Sequence, residues 1–120
     1  MEVAMIEGWM KEMKKACDPR SLGMILAHKG IVRATTKNGR PVKGMKLTYD
    51  KAKLESAMSA CKTKDGIVDV RVWINEGELR IGDDIMNVCV AGRFRMDVLP
   101  ALQDLLKTIK GEVVREEEIL

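Results

Sequence analysis

The chain has 120 residues, with 21 basic and 18 acidic side chains for a net charge of +3; it is 46% hydrophobic and 32% charged. That length suits one domain with a core that needs no disulfide or metal staples, so residues 1–120 are read as a single domain of ordinary globular composition rather than a disordered chain. The charge is too balanced to argue for nucleic acid or a membrane as partner, which leaves an anionic small ligand open.

Cys17, Cys61 and Cys89 are an odd set without C-x-x-C spacing, which speaks against a disulfide framework or a zinc site and makes a reducing cytoplasm the expected location. The N-terminal stretch mixes charge with apolar residues and offers neither a signal-peptide core nor a membrane-spanning run. Aromatics make up only 3% while Met is plentiful, so the core is expected to be aliphatic and thioether.

The first element is an amphipathic helix over residues 3–17, with Val3, Ile6, Trp9, Met10, Met13 and Cys17 on one face. Asp18-Pro19 ends it, because the residue before a proline is pushed out of the helical region. Residues 1–22 thus form an N-terminal helix and linker. MILA followed by GIVRA reads as one strand with Gly30 at a bulge. Asn38-Gly39 is a hairpin signal, both residues tolerating the positive φ of a type I′ turn, and the next strand runs from Val42 to Thr48. Asp50 is the expected N-cap of a helix with Leu54, Ala57, Met58 and Cys61 on one face.

After a polar turn, Ile67, Val68, Val70, Val72 and Ile74 form a strand with Asp69 and Arg71 on its wetter side. EGELRIGDD reads as a turn before a strand from Ile85 to Ala91. A last helix from Arg95 to Lys110 presents Leu99, Leu102, Leu105, Leu106 and Ile109 as its buried stripe, with Pro100 in its first turn and Gly111 as its stop. Val113 and Val114 form a short closing strand. The order is α+β, built on hairpins in an antiparallel sheet with packed helices.

Three segments resemble the large, catalytic subunit of molybdopterin synthase. In the first, Gly30, Val32 and Arg33 match the family's G-x-V-R, with Leu47 and Tyr49 ending the following strand. In the second, Gly77, Glu78, Leu79, Gly82 and Asp83 match its G-E-L-x-x-G-[DE] turn. In the third, Asp104 to Thr108 is similar to the D-x-L-K-T that ends its helix. These matches cover residues 23–116 in order. The resemblance implies an α/β-hammerhead fold that dimerises and a ubiquitin-like small subunit bearing a C-terminal thiocarboxylate, giving a heterotetramer. It also implies transfer of two sulfurs to cyclic pyranopterin monophosphate to make molybdopterin, with no cofactor or metal bound to the protein.

A phosphorylated pterin needs fixed cations, and the planar fork of arginine suits a phosphate. Arg33, Arg93 and Arg95 are the residues expected to hold it, with Arg115 and His28 as further substrate contacts. The plain alternative for Arg33 is a solvated strand-end arginine. A lysine near the sulfur-bearing carbonyl would stabilise an oxyanion or attack as an amine. Lys107 holds the family's position, and Lys110 is the alternative because the helix is about one turn shorter than the family's. Either lysine could instead simply complement the helix dipole.

The departures are equally specific. Phe94-Arg95 and Ile74-Asn75 stand where the family has His-Arg pairs, Val114 stands opposite a second lysine, and Arg115-Glu116 stands opposite the two residues after it. The C-terminal arm that family members extend toward a neighbouring subunit is expected to be mostly lacking. His28, the one histidine, occupies a position where the family often has an aromatic residue. It is either a packed strand histidine or a pocket residue with near-neutral pKa that replaces part of the lost proton transfer. Two functions follow: a working synthase subunit, or a noncatalytic relative acting as a binding or regulatory partner.

Overall fold

The computed structural model describes residues 3–120, so Met1 and Glu2 of the expected N-terminal segment lie outside the described residues, as do the side chains of Val3 and Ala4. The elements run α1 (Val3–Ala16), β1 (Met24–Ile31), β2 (Gly44–Tyr49), α2 (Lys51–Lys62), β3 (Ile67–Ile74), β4 (Gly77–Arg80), β5 (Asp84–Gly92), α3 (Arg95–Thr108), a π turn (Ile109–Val113) and β6 (Val114–Ile119). The strands form two antiparallel sheets, ordered β1-β5-β3 and β4-β2-β6. The α+β antiparallel class expected from the sequence is the class observed.

Strand β5 lies between β1 and β3 and is buried on both faces, which is why MNVCVAG carries almost no charge. Successive side chains of a strand point to opposite sides. Met86, Val88 and Val90 therefore enter the main core with Leu47 and Leu79 of the second sheet and Leu54, Leu102 and Leu105 of the helices. Cys89 and Ala91 enter a smaller cluster closed by Met13 of α1, with Ile6, Trp9 and Cys17 around it. The second face is thus covered rather than wet. Asp69 and Arg71 are half-buried there: Arg71 Nε donates to Asp69 at 3.2 Å, and its guanidinium also pairs with Glu12 of α1.

Several boundaries differ from the sequence reading, each for a local reason. Strand β1 ends at Ile31 because the register slips between Gly30 and Ile31. Val32 and Arg33 continue outside the strand, pinned by Val32 N–H to Asp83 C=O and Gly82 N–H to Val32 C=O, both 2.9 Å. At the Asn38-Gly39 turn only Gly39 has positive φ (83°). Its N–H donates to Thr36 C=O at 3.0 Å and Thr36 N–H donates to Arg40 C=O at 2.9 Å. The loop is therefore Lys37 to Gly39, a type I turn closed by a left-handed glycine rather than a type I′ turn. Beyond the Thr35–Pro41 bridge the two flanking strands part into different sheets.

The stretch read as a turn contains β4, whose register sets buried Leu79 opposite Met45. A strand that short has too few residues for its alternation to stand out from the glycines and acids around it. Asp50 caps α2 as expected, accepting from Lys53 N–H at 3.1 Å, and Leu54, Ala57 and Cys61 are the residues it buries.

The buried stripe of α3 is Val98, Ala101, Leu102 and Leu105, continued by Ile109, while Leu99 falls off that line and stays 42% exposed. Because α3 starts at Arg95, Pro100 sits in the second turn rather than the first. The carbonyl its missing N–H leaves free belongs to Met96, which is 78% exposed and open to water. Gly111 does not stop the chain: α3 widens into the π turn, and Val114 N–H bonds Ile109 C=O as the backbone becomes extended. The closing strand then runs to Ile119 instead of ending at Val114, since β6 pairs with β2 along its length.

Glycine substitutions test this packing. A Cβ on Gly92 would lie 2.4 Å from Gly66 O and 2.6 Å from Val98 Cγ2, whereas nothing lies within 4 Å of one on Gly111. Gly92→Ala is expected to lose about 1–3 kcal/mol in urea unfolding through overpacking, and Gly111→Ala to stay within about 0.5 kcal/mol of the parent.

Candidate functional site

The π turn carries Lys110 out of α3 at the point where the backbone reverses into β6. On the first sheet, the bulge after Gly30 brings Arg33 off the end of β1 toward the same place. Between them lies an open cleft of about 650 Å³ whose lining includes Arg33, Lys37, Ile85 and Lys110 together with the carboxylates Glu116 and Glu118. An adjacent cleft of about 880 Å³ shares Lys110 and Glu116 and adds Lys53 and Arg115 along with the carboxylates Asp50 and Glu112.

The shared pair is the electrostatic centre. Lys110 Nζ lies 3.1 Å from Glu116 Oε1, with the lysine side chain 74% exposed and the glutamate only 14%. An anion reaching the cleft therefore meets an ammonium held from behind by a half-sunk carboxylate. Arg33 Nε donates to Thr35 C=O at 2.9 Å, which fixes the guanidinium plane and leaves its terminal amino groups unpartnered among the described residues. Such an arginine is set to donate two parallel bonds to a phosphate.

His28 is half-buried on β1. A Cβ built on Gly30 would stand 3.8 Å from His28 Nε2 and 3.4 Å from the Cβ of Ile85, so the absence of a side chain at Gly30 leaves room for the imidazole beside a residue that lines the cleft. Burial pushes the His28 pKa below its ordinary value, and the positive charge of Lys110 pushes it further in the same direction.

The remaining predicted residues sit elsewhere. Lys107 is exposed one turn before Lys110 and lines neither cleft. It lies near Asp104, whose carboxyl is held below the usual range chiefly by Lys64 and to a smaller degree by Lys107. Arg93 and Arg95 are at the opposite end of α3, a helix of 14 residues and so roughly 21 Å long at 1.5 Å per residue. Arg93 is engaged by Asp97 at 3.2 Å and Asp65 at 3.4 Å, with its guanidinium 5.2 Å above the Phe94 ring. Within one chain, then, Arg33, Lys110 and Arg115 line the two clefts, His28 lines neither although it feels the Lys110 charge, and Arg93, Arg95 and Lys107 are not brought to either cleft.

Sequence reasoning did not single out Glu116 as a site residue. Strand β6 alternates with Val114 and Glu116 turned inward and Arg115 and Glu117 outward, and nothing in the run VREEE tells which glutamate will face a lysine. Among the described residues no helix is long and apolar enough to cross a membrane. Nor do any three His, Cys, Asp or Glu side chains among them converge so as to hold a metal ion.

The proximity of Lys110 to the sole histidine has a direct readout. In Lys110→Met the His28 imidazole should titrate at a higher pH than in the parent while staying below the ordinary histidine value, because the charge is removed and the burial remains. NMR of the single imidazole measures this, and an unchanged titration would place the two groups out of reach of each other.

The sequence model of the MoaE protein family matches residues 6–112 of the chain. An uncharacterised protein of Methanocaldococcus jannaschii is 33% identical over 92 residues, covering 73% of this chain and 77% of that protein. Among solved structures, molybdopterin synthase from Staphylococcus aureus superposes with a TM-score of 0.75 at 20% identity, over 92% of this chain and 82% of that one. A complex of subunits 1 and 2 of molybdopterin-converting factor from Helicobacter pylori is similar with a TM-score of 0.75 at 16% identity, over 98% of this chain and 77% of that one.

Proposed function

Because the chain belongs to the MoaE protein family, the molybdopterin synthase large subunit, and so to molybdenum cofactor biosynthesis, we propose that it transfers sulfur to a phosphorylated pterin. The substrate is cyclic pyranopterin monophosphate and the product molybdopterin. The donor is the C-terminal thiocarboxylate of a ubiquitin-like small subunit, and two large subunits pair so that the assembly is a heterotetramer. A small-subunit partner is supported by the similar Helicobacter pylori protein, which is described as a complex of two subunits.

The observation that carries this reading is that Arg33, just past the end of β1, and Lys110, in the π turn after α3, line one open cleft. In the proposed reaction the Arg33 fork binds the phosphate, with Arg115 of the adjacent cleft as a further cation for the substrate. Sulfur delivered by a thiocarboxylate arrives on the pterin as an acyl–sulfur link, and freeing it requires attack on the acyl carbonyl. The Lys110 ammonium stabilises the oxyanion that then develops, the role its pairing with Glu116 at 3.1 Å suits better than that of an amine nucleophile. Arg95 and Arg93 are left for contacts outside this single-chain cleft.

A noncatalytic role is favoured by one specific observation: Val114 and Phe94 occupy the positions of a second lysine and a histidine in the family, so part of the usual proton and acyl chemistry is missing. The two readings separate in one assay, in which the purified chain is mixed with thiocarboxylated small subunit and cyclic pyranopterin monophosphate and the dithiolene product is measured. Lys110→Ala is expected to slow product formation about 10²-fold, the usual cost of an oxyanion donor. Lys107→Ala should cost clearly less, and Arg33→Ala should raise KM about 10-fold or more through a lost charge-assisted contact. A folded chain that binds the small subunit and yields no dithiolene is the noncatalytic relative.

A further inference from the structure

Strand β6 carries three successive glutamates, and its register with β2 sorts them. Glu116 and Glu118 lie opposite Leu47 and Met45, both buried, whereas Glu117 lies opposite exposed Lys46. Successive side chains of a strand alternate between its faces, so Glu116 and Glu118 stand on the core side of the second sheet, and both line the cleft of Arg33. Their situations differ. Glu116 is mostly buried and holds Lys110 at 3.1 Å, while Glu118 is exposed and has no ion-pair partner among the described residues.

The other carboxylates near the two clefts are placed differently. Asp50 and Glu112 line the adjacent cleft, which Arg33 does not reach, and Asp50 already accepts from Lys53 N–H at 3.1 Å. A free carboxylate repels a phosphate, so a ligand whose phosphate is held by Arg33 turns some other part of itself to Glu118. An ionised carboxylate is acceptor-only, and its two oxygens suit a pair of parallel N–H donors. The same cleft also offers apolar surface on which a flat ring can lie: Met45, Ile85 and Ile31, the last 54% exposed.

Resting on the reading of the substrate as a phosphorylated pterin, we propose that Glu118 recognises the pyrimidine edge of that pterin. One carboxylate oxygen accepts from the exocyclic amino group and the other from the ring N–H beside it. A pterin presents these two donors side by side, much as a guanidinium presents its fork to a carboxylate. The two ends of one ligand thereby meet opposite charges in a single cleft, phosphate on Arg33 and amino edge on Glu118. Glu118 selects the substrate and takes no part in the sulfur-transfer chemistry. A lumazine, in which a carbonyl oxygen replaces the exocyclic amino group, sets an acceptor against the carboxylate and is disfavoured.

Calorimetric titration with hydroxymethylpterin monophosphate and its lumazine counterpart tests this, alongside steady-state sulfur transfer to cyclic pyranopterin monophosphate. The parent is expected to bind the pterin phosphate about 10-fold more tightly than the lumazine phosphate, the usual worth of a hydrogen bond to a charged group. In Glu118→Gln that preference should vanish or invert, because an amide offers one acceptor and one donor. Its KM should rise about 10-fold with kcat unchanged, as for a contact made equally in ground and transition states. Glu117→Gln, on the other face of the strand, should keep the parent preference, and both variants the parent melting temperature. Glu118→Gln that retains the preference while product still forms overturns the assignment and leaves sulfur transfer standing. A fall in kcat with KM unchanged also overturns it, since Glu118 then acts in the chemistry. A folded parent that binds neither phosphate and forms no product overturns the phosphopterin reading and this inference with it.

Discussion

The fold depends on a single strand that has no solvent face. Every residue of β5 from Met86 to Gly92 is buried, and the strand is hydrogen-bonded on both edges by β1 and β3. Each fully buried valine in such a strand contributes on the order of 1.5–3 kcal/mol, and the two faces carry different loads. The face with Val88 and Val90 joins the helices to the second sheet. The face with Cys89 and Ala91 uses small side chains because α1 must approach closely to set Met13 against them. Asn87 is the exception in the run, buried with its amide nitrogen 3.4 Å from Met5 Sδ and its carbonyl oxygen unpartnered among the described residues.

With β5 as a fixed centre, the site is formed by two interruptions of regular structure. The register slip between Gly30 and Ile31, where Ile85 of β5 is the extra residue, comes just before β1 ends at Ile31, and Arg33 follows outside the strand on the wall of the cleft. The π turn widens α3 just where it meets β6, so that Lys110 projects over the beginning of the strand and meets Glu116. Both are single-residue adjustments of the kind often found at functional sites. Neither disturbs the core, because Val32, Ile109 and Val113, the buried residues beside them, keep their places in it or against it.

The charge arrangement follows from that geometry. A cation at Lys110 faces outward, its partner carboxylate is mostly buried, and the sole histidine stands close enough to feel the cation. The same lysine that orders β6 through Glu116 thereby also tunes His28, and a phosphate entering beside Arg33 would change the field at both. Arg71 has the analogous place on the opposite side of the first sheet, where it ties α1 to β3 through Glu12 and Asp69. That pairing is structural and far from the clefts.

The sequence alone carried the secondary elements whose period is long enough to be seen: α1 from Ile6, Trp9 and Met13, α2 from Leu54, Ala57 and Cys61 with its Asp50 cap, and the two long valine strands. It also carried the family, through Gly30, Val32 and Arg33 and the Gly77 to Asp83 segment, and with it the fold class. It could not show that Asp69 and Arg71 would be covered, because alternation gives the two sides of a strand without telling what packs on each. Nor could it find β4, whose four residues bury only Leu79, or the inward turn of Glu116 within a run of glutamates. The choice between Lys107 and Lys110 was also outside its reach: both are exposed lysines near one helix end, and a π turn, visible only in three dimensions, brings Lys110 to the cleft of Arg33. Local pattern determines which segments are helix or strand, while the meeting of side chains from β1, β6 and the turn after α3 is a long-range event that only the packed chain decides.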